Sequence, residues 1–192
     1  MISLSRKFLL GAMASALALV THADIIVDQP SSAGSVQVLA FDPLGQSFTA
    51  ASNKLISFDF DILTYNPTFA NHALRLDILQ GSGTGGLVLD TATFSLASGF
   101  NGLAGATFNL DVIAGGIYTA VLTTDTVFWG VSVNGSDVYA GGNSFYNGHA
   151  TGGDLVFRAT FADATVPDGS STILLLGGAL TSLAVARRRF RS

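Results

Sequence analysis

Residues 55–63 read LISFDFDIL, and this alternation decides the fold. Ile56, Phe58, Phe60 and Ile62 fall on one side, and Ser57, Asp59 and Asp61 on the other. A period of two marks a strand with one buried face. The same period returns along the chain. In ALRLDIL (73–79), Leu74, Leu76 and Ile78 alternate with Arg75 and Asp77. In GATFNLDV (105–112), Phe108, Leu110 and Val112 alternate with Thr107, Asn109 and Asp111. In DLVFRATF (154–161), Leu155, Phe157, Ala159 and Phe161 alternate with Val156, Arg158 and Thr160. Further strands are expected at IIVDQ, VQVLAF, QSFTA, LVLDTATFSL, IYTAVLT and VFWGVSV, with Trp129 in the core. Glycine-rich breaks separate them: GSGTGG, SGFNG, AGG and NGS. About ten short strands without helical periodicity predict an all-β, antiparallel two-sheet sandwich of jelly-roll type.

Composition agrees. The chain has 192 residues, with 22 glycines, 14 phenylalanines and no cysteine, so disulfides and thiolate metal sites are excluded. The acidic residues are all aspartate. Between residues 24 and 163, three cations (Lys54, Arg75, Arg158) stand against 12 aspartates, a net charge of −9. Such a body repels nucleic acid and anionic headgroups, so no nucleic-acid partner is expected.

The two ends read differently from the middle. At 1–23, Arg6 and Lys7 precede an apolar run from Phe8 to Val20. Thr21-His22-Ala23 then sets small residues three and one before a cut ahead of Asp24. This is the layout of a cleaved secretory signal peptide. The body is 24–163, and 164–192 forms the ending. There VPDGS (166–170) leads into an uncharged run expected to form a transmembrane helix at 171–186, closed by an arginine-rich tail at 187–192. The run is at the short limit of the ~17–25 residues that span a bilayer, and the arginines fix the cytoplasmic side.

A turn, a short apolar helix and an arginine cluster in that order resemble the PEP-CTERM sorting signal of exported bacterial proteins. Val166 and Pro167 match the motif, Asp168 stands where Glu is usual, and Gly169-Ser170 follow. This ending is similar to the VPDSG-type variant of the class. The resemblance implies that Val166, Pro167, Asp168, Gly169, Ser170, Arg187, Arg188, Arg189 and Arg191 form the sorting signal. It also implies that an exosortase-type membrane transpeptidase is the processing partner. The inner membrane would hold the chain transiently, before release to the cell surface or an exopolysaccharide-containing matrix. A simple C-terminal anchor on a periplasmic domain is the alternative. Separately, GQSFTA, LRLDILQGSGTGGLVL, AGGIYTAVL and DLVFR resemble a β-sandwich module frequent in exported bacterial proteins, which implies only a surface-protein sandwich.

No motif in the body names a reaction, and neither catalytic residues nor a cofactor is expected. Gly81–Gly86 fits GxGxxG, but a strand pattern follows it where a dinucleotide site needs a helix. Asp59 and Asp61 share a strand face, and Asp77 is expected on a neighbouring strand. Glycoside hydrolysis needs paired carboxylates ~5–9.5 Å apart in a cleft, whereas Ser57 and Arg75 on these faces suit a solvated surface. His72 and His149 sit in separate loops. The segment DVYAGGNSFYNGHATGGD (137–154) reads as a long loop, a form that often carries function. Its Tyr139, Phe145 and Tyr146 offer rings for sugar stacking, with Asn143 and Asn147 to bond hydroxyls, as in a carbohydrate-binding module. Asp137, Asn143 and Asp154 with loop carbonyls are the candidate Ca²⁺ ligands, though no EF-hand pattern is present. The structural alternative is a loop whose aromatics cap the sandwich.

Overall fold

The computed structural model describes residues 24–68 and 72–162. The signal peptide at 1–23, the sorting motif at 166–170 and the helix expected at 171–186 lie outside these residues. Among the described residues, no helix is long and apolar enough to cross a membrane.

The described residues are all-β and form two antiparallel sheets. The first holds β1 (Ile25–Gln29), β2 (Gly34–Gln37), β4 (Lys54–Thr64), β7 (Asn101–Asp111), β9 (Trp129–Asn134), β12 (Asp154–Leu155) and β13 (Phe157–Phe161). The second holds β3 (Leu44–Thr49), β5 (Ala73–Gln80), β6 (Val88–Ser95), β8 (Ile117–Thr124), β10 (Ser144–Tyr146) and β11 (His149–Ala150). Strand β4 is the spine of the first sheet. It pairs with β7 along one edge, and with β13 and then β9 along the other. The second sheet runs β11-β10-β3-β8-β5-β6.

The alternating Phe and Leu faces meet between the sheets. Phe48, Phe58, Phe60, Phe157 and Phe161 are nearly or wholly buried there, with Leu74, Leu76 and Ile78 from β5. Trp129 is also inside, 1% exposed, as the sequence predicts. Burying an aromatic side chain removes 150–250 Å² from water, so these rings dominate the apolar driving force. Phe48 of β3 and Phe58 of β4 touch across the interface with centroids 5.0 Å apart, tying one sheet to the other.

Four sequence expectations need correction. The phase of β4 slips at its start: Leu55 is wholly buried and Ile56 only partly. The ladder with β13 shifts register there, pairing Thr160 with Ser57 and Phe161 with Leu55, so Ile56 is an extra residue on β4 and Leu55 takes the inward face in its place. The stretch VQVLAF is not one strand, because β2 stops at Gln37 and a 3-10 turn at Leu39–Phe41 follows. Asp77 is not beside Asp59 and Asp61, since β5 belongs to the other sheet. With Leu76 and Ile78 facing the core, Asp77 lies on the opposite outer face of the sandwich. Lastly, 137–154 is not a structureless loop, because β10, β11 and the first residue of β12 fall within it.

Candidate functional site

Segment 137–154 contains a tight hairpin. Strands β10 and β11 pair through Phe145–Ala150 and Tyr146–His149. Only Asn147 and Gly148 link them, with φ of 51° and 80°. Asn-Gly is the sequence signature of a two-residue turn with both φ positive, because Asn tolerates and Gly prefers the left-handed region. Strand β10 then joins the second sheet at β3, through Ser144–Gln46 and Phe145–Gly45.

Asp154 anchors what precedes the hairpin. Its carboxylate is completely buried. Oδ2 accepts hydrogen bonds from the amides of Val138 and Tyr139, both at 2.8 Å, and Oδ1 accepts one from Gln46 Nε2 at 3.0 Å. Gln46 Oε1 in turn accepts from the Leu155 amide at 2.8 Å. A buried carboxylate is tolerated only when its oxygens are satisfied, and here they are. The network ties β12, β3 and the 138–139 backbone together. Asp154 therefore has no oxygen turned to solvent for a cation, whereas Asp137 stands exposed on the loop it holds. Among the described residues, no group of three or more His, Cys, Asp or Glu is arranged to hold a metal ion.

The aromatic residues expected to face a sugar turn inward. Phe145 is buried. Tyr139 packs edge-on against Phe157, with centroids 5.1 Å apart, and its hydroxyl accepts from the Thr49 amide at 3.1 Å. Burial pushes the Tyr139 phenol pKa up, and the bond from Thr49 works against that rise. Tyr146 is half-buried against Phe41, centroids 5.0 Å apart, and burial likewise raises its phenol. These rings cap one end of the sandwich. Asn147 is exposed, but it occupies the turn itself.

The loop and Ser82 of the Gly81–Gly86 turn flank an open cleft. The glycine turn folds back on the outer face of the second sheet. Thr119 Oγ1 donates to Gly81 O at 2.8 Å and accepts from the Gly83 amide at 3.0 Å. Gly81 and Gly83 have φ of 86° and 105°, which other residues rarely adopt. On the other side, Gly142 lies so close to Ser47 that a Cβ there would collide with the Ser47 carbonyl. Between them lies a cleft of about 260 Å³, with Ser47 and Thr49 in its floor and Ser82, Asp137 and Asn143 at its rim. The glycine turn is thus a cleft wall, and the strand β6 that follows it excludes a dinucleotide fold.

The other candidates do not converge. His72 precedes β5, and His149 lies on β11 at the far edge of the same sheet. His72 Nδ1 is 4.0 Å from the Asp125 carboxylate. Asp77, 8% exposed, accepts from Arg75 Nε at 2.9 Å and from the Thr91 hydroxyl of the adjacent β6 at 2.6 Å. Asp59 stands between Gly105 of β7 and Arg158 of β13. Partial burial pushes its carboxyl pKa above the ordinary 3.8, against the lowering effects of the Arg158 charge and the Ser57 hydroxyl. The native chain therefore holds this proton more tightly than the unfolded chain does. That contribution to stability is complete below the unfolded value and is lost as pH rises through the native one. Asp59→Asn is expected to raise stability slightly at pH 7, by less than about 1 kcal/mol because solvent screens the site. The gain is expected to vanish below pH ~4, and urea midpoints at the two pH values check it.

Comparison with known families places one feature beyond the body. The family model described as the VPDSG-CTERM motif matches residues 165–190. The chain thus carries at its C-terminal end a variant of the PEP-CTERM-type sorting signal. The match spans the ending alone and is silent on the sandwich. No curated protein matches the chain.

Proposed function

We propose that this is an exported, non-enzymatic β-sandwich protein whose C-terminal signal an exosortase-type transpeptidase processes. The helix expected at 171–186 holds the chain briefly in the inner membrane. Cleavage near Val166–Ser170 then releases the body to the cell surface or extracellular matrix. The VPDSG-CTERM match at 165–190 carries this reading. The basic n-region, apolar run and Ala23-Asp24 junction at the other end support export.

The scatter of the titratable groups supports a non-enzymatic body. Asp77 lies on the opposite outer face from Asp59 and Asp61, and His72, just before β5, is separated from His149 on the edge strand β11 by three strands of the same sheet. The row β1-β13-β4-β7 facing the row β3-β8-β5-β6 supports the jelly-roll reading of the body, because the chain crosses between the rows at each step except the β5–β6 hairpin, as two Greek keys require. A net charge of −9 between residues 24 and 163 makes a neutral polymer, such as an uncharged exopolysaccharide, the natural neighbour.

Deleting residues 166–192 tests the reading in the native cells. The truncated protein is expected to be exported but to fail to reach the surface fraction. Surface delivery equal to that of the intact chain contradicts it.

A further inference from the structure

The cleft beside the glycine turn is built, yet the sorting signal gives it no role. Its floor is fixed by bonds within the protein. Ser47 Oγ accepts from the Asn143 amide at 2.9 Å, and Thr49 Oγ1 donates to Gly141 O at 3.0 Å. Its rim is uncommitted. The side chains of Ser82, Asp137 and Asn143 line the cleft and make no hydrogen bond or ion pair with other described residues. Ile117, 48% exposed, supplies the apolar part of the wall.

Size and chemistry narrow the ligand. A cavity of ~150 Å³ holds benzene, so about 260 Å³ has room for a six-membered ring with its hydroxyls. A carboxylate accepts from hydroxyl groups, an amide both donates and accepts, and a serine hydroxyl does either. Ile117 can meet the C–H face of a ring. The lining contains no arginine or lysine, so a phosphate or carboxylate ligand would find no counter-charge. It contains one carboxylate, whereas Ca²⁺ takes 6–8 oxygens.

We propose that this cleft binds one unit of a neutral polysaccharide, with its hydroxyls bonded by Asp137, Asn143 and Ser82 and its apolar face on Ile117. The site does not involve the inward-facing rings of Tyr139 and Phe145, and it does not depend on how the C-terminus is processed.

The test uses the full-length chain in detergent and saturation-transfer NMR. The probes are neutral oligosaccharides of glucose, galactose and mannose, an oligouronate, and CaCl₂. At least one neutral probe is expected to bind and the oligouronate to fail. Asp137→Ala and Asn143→Ala are each expected to weaken binding about tenfold, the loss of one good hydrogen bond, with the thermal midpoint unchanged. The proposal is overturned if no neutral probe binds, or if both variants bind as the parent does. Calcium binding that requires Asp137 and excludes the sugar overturns it in favour of a cation site.

Discussion

Asp154→Ala is expected to lower the stability of the sandwich by about 3–5 kcal/mol. The wild-type carboxylate is wholly buried and accepts three hydrogen bonds. Alanine removes the acceptor of the Val138 and Tyr139 amides and of one Gln46 Nε2 hydrogen, the other remaining bonded to Ser47 O. An unsatisfied buried donor costs ~1–3 kcal/mol, and the three losses share one site, so they do not simply add. Asp154→Asn keeps the shape but sets an NH₂ donor near other donors, and about half the loss is expected. Urea midpoints with unchanged m-values check both variants. The effect should also reach the cleft, because Asp154 holds the 138–139 backbone that leads into Asn143. An Asp154→Ala protein with the parent's midpoint would mean that the hairpin and the Ser47 contacts position this loop unaided.

Phe58→Ala is expected to cost a similar ~3–5 kcal/mol, for a different reason. Phe58 is fully buried. Its ring stacks on Phe157 at 5.4 Å and 2°, and meets Phe48 and Phe60 at 5.0 Å each. The truncation removes apolar burial, leaves a cavity, and takes away aromatic contacts both within one sheet and across to the other. Phe58→Leu fills most of the space and is expected to lose less than half as much. Phe108, 8% exposed and near the edge on β7, is the internal comparison, and its truncation should cost less. Equal losses at both positions would contradict the placement of the core around Phe58.

Much of this architecture is legible in the sequence because a half-buried strand writes its orientation every second residue. Phe58, Phe60 and Ile62 face inward as LISFDFDIL predicts, and so do Leu74, Leu76 and Ile78. What failed was pairing over distance and local phase. Nothing in ISFDF marks the bulge that turns Leu55 rather than Ile56 inward. No local pattern says that β4 and β5 belong to different sheets, which is what separates Asp77 from Asp59 and Asp61. The hairpin at 144–150 is legible in the sequence, since Asn147-Gly148 between SFY and HA is a turn signal within the 137–154 stretch. The role of Asp154 is not legible locally, because it depends on Gln46, 108 residues away. Spacing alone makes Asp154 look like a cation ligand beside Asp137. The cleft is invisible in the sequence for the same reason, since Ser82, Ile117 and Asn143 become neighbours only through the fold. The sorting signal was readable because all its parts are contiguous in the chain.

The intact mass and location of the native protein in its own cells test the central claim most directly. Processing at the C-terminal signal predicts a mass lacking both ends, with the body found outside the inner membrane at the surface or in the matrix. A mass that retains residues 166–192, found in the inner-membrane fraction, would contradict it and make the ending a permanent anchor.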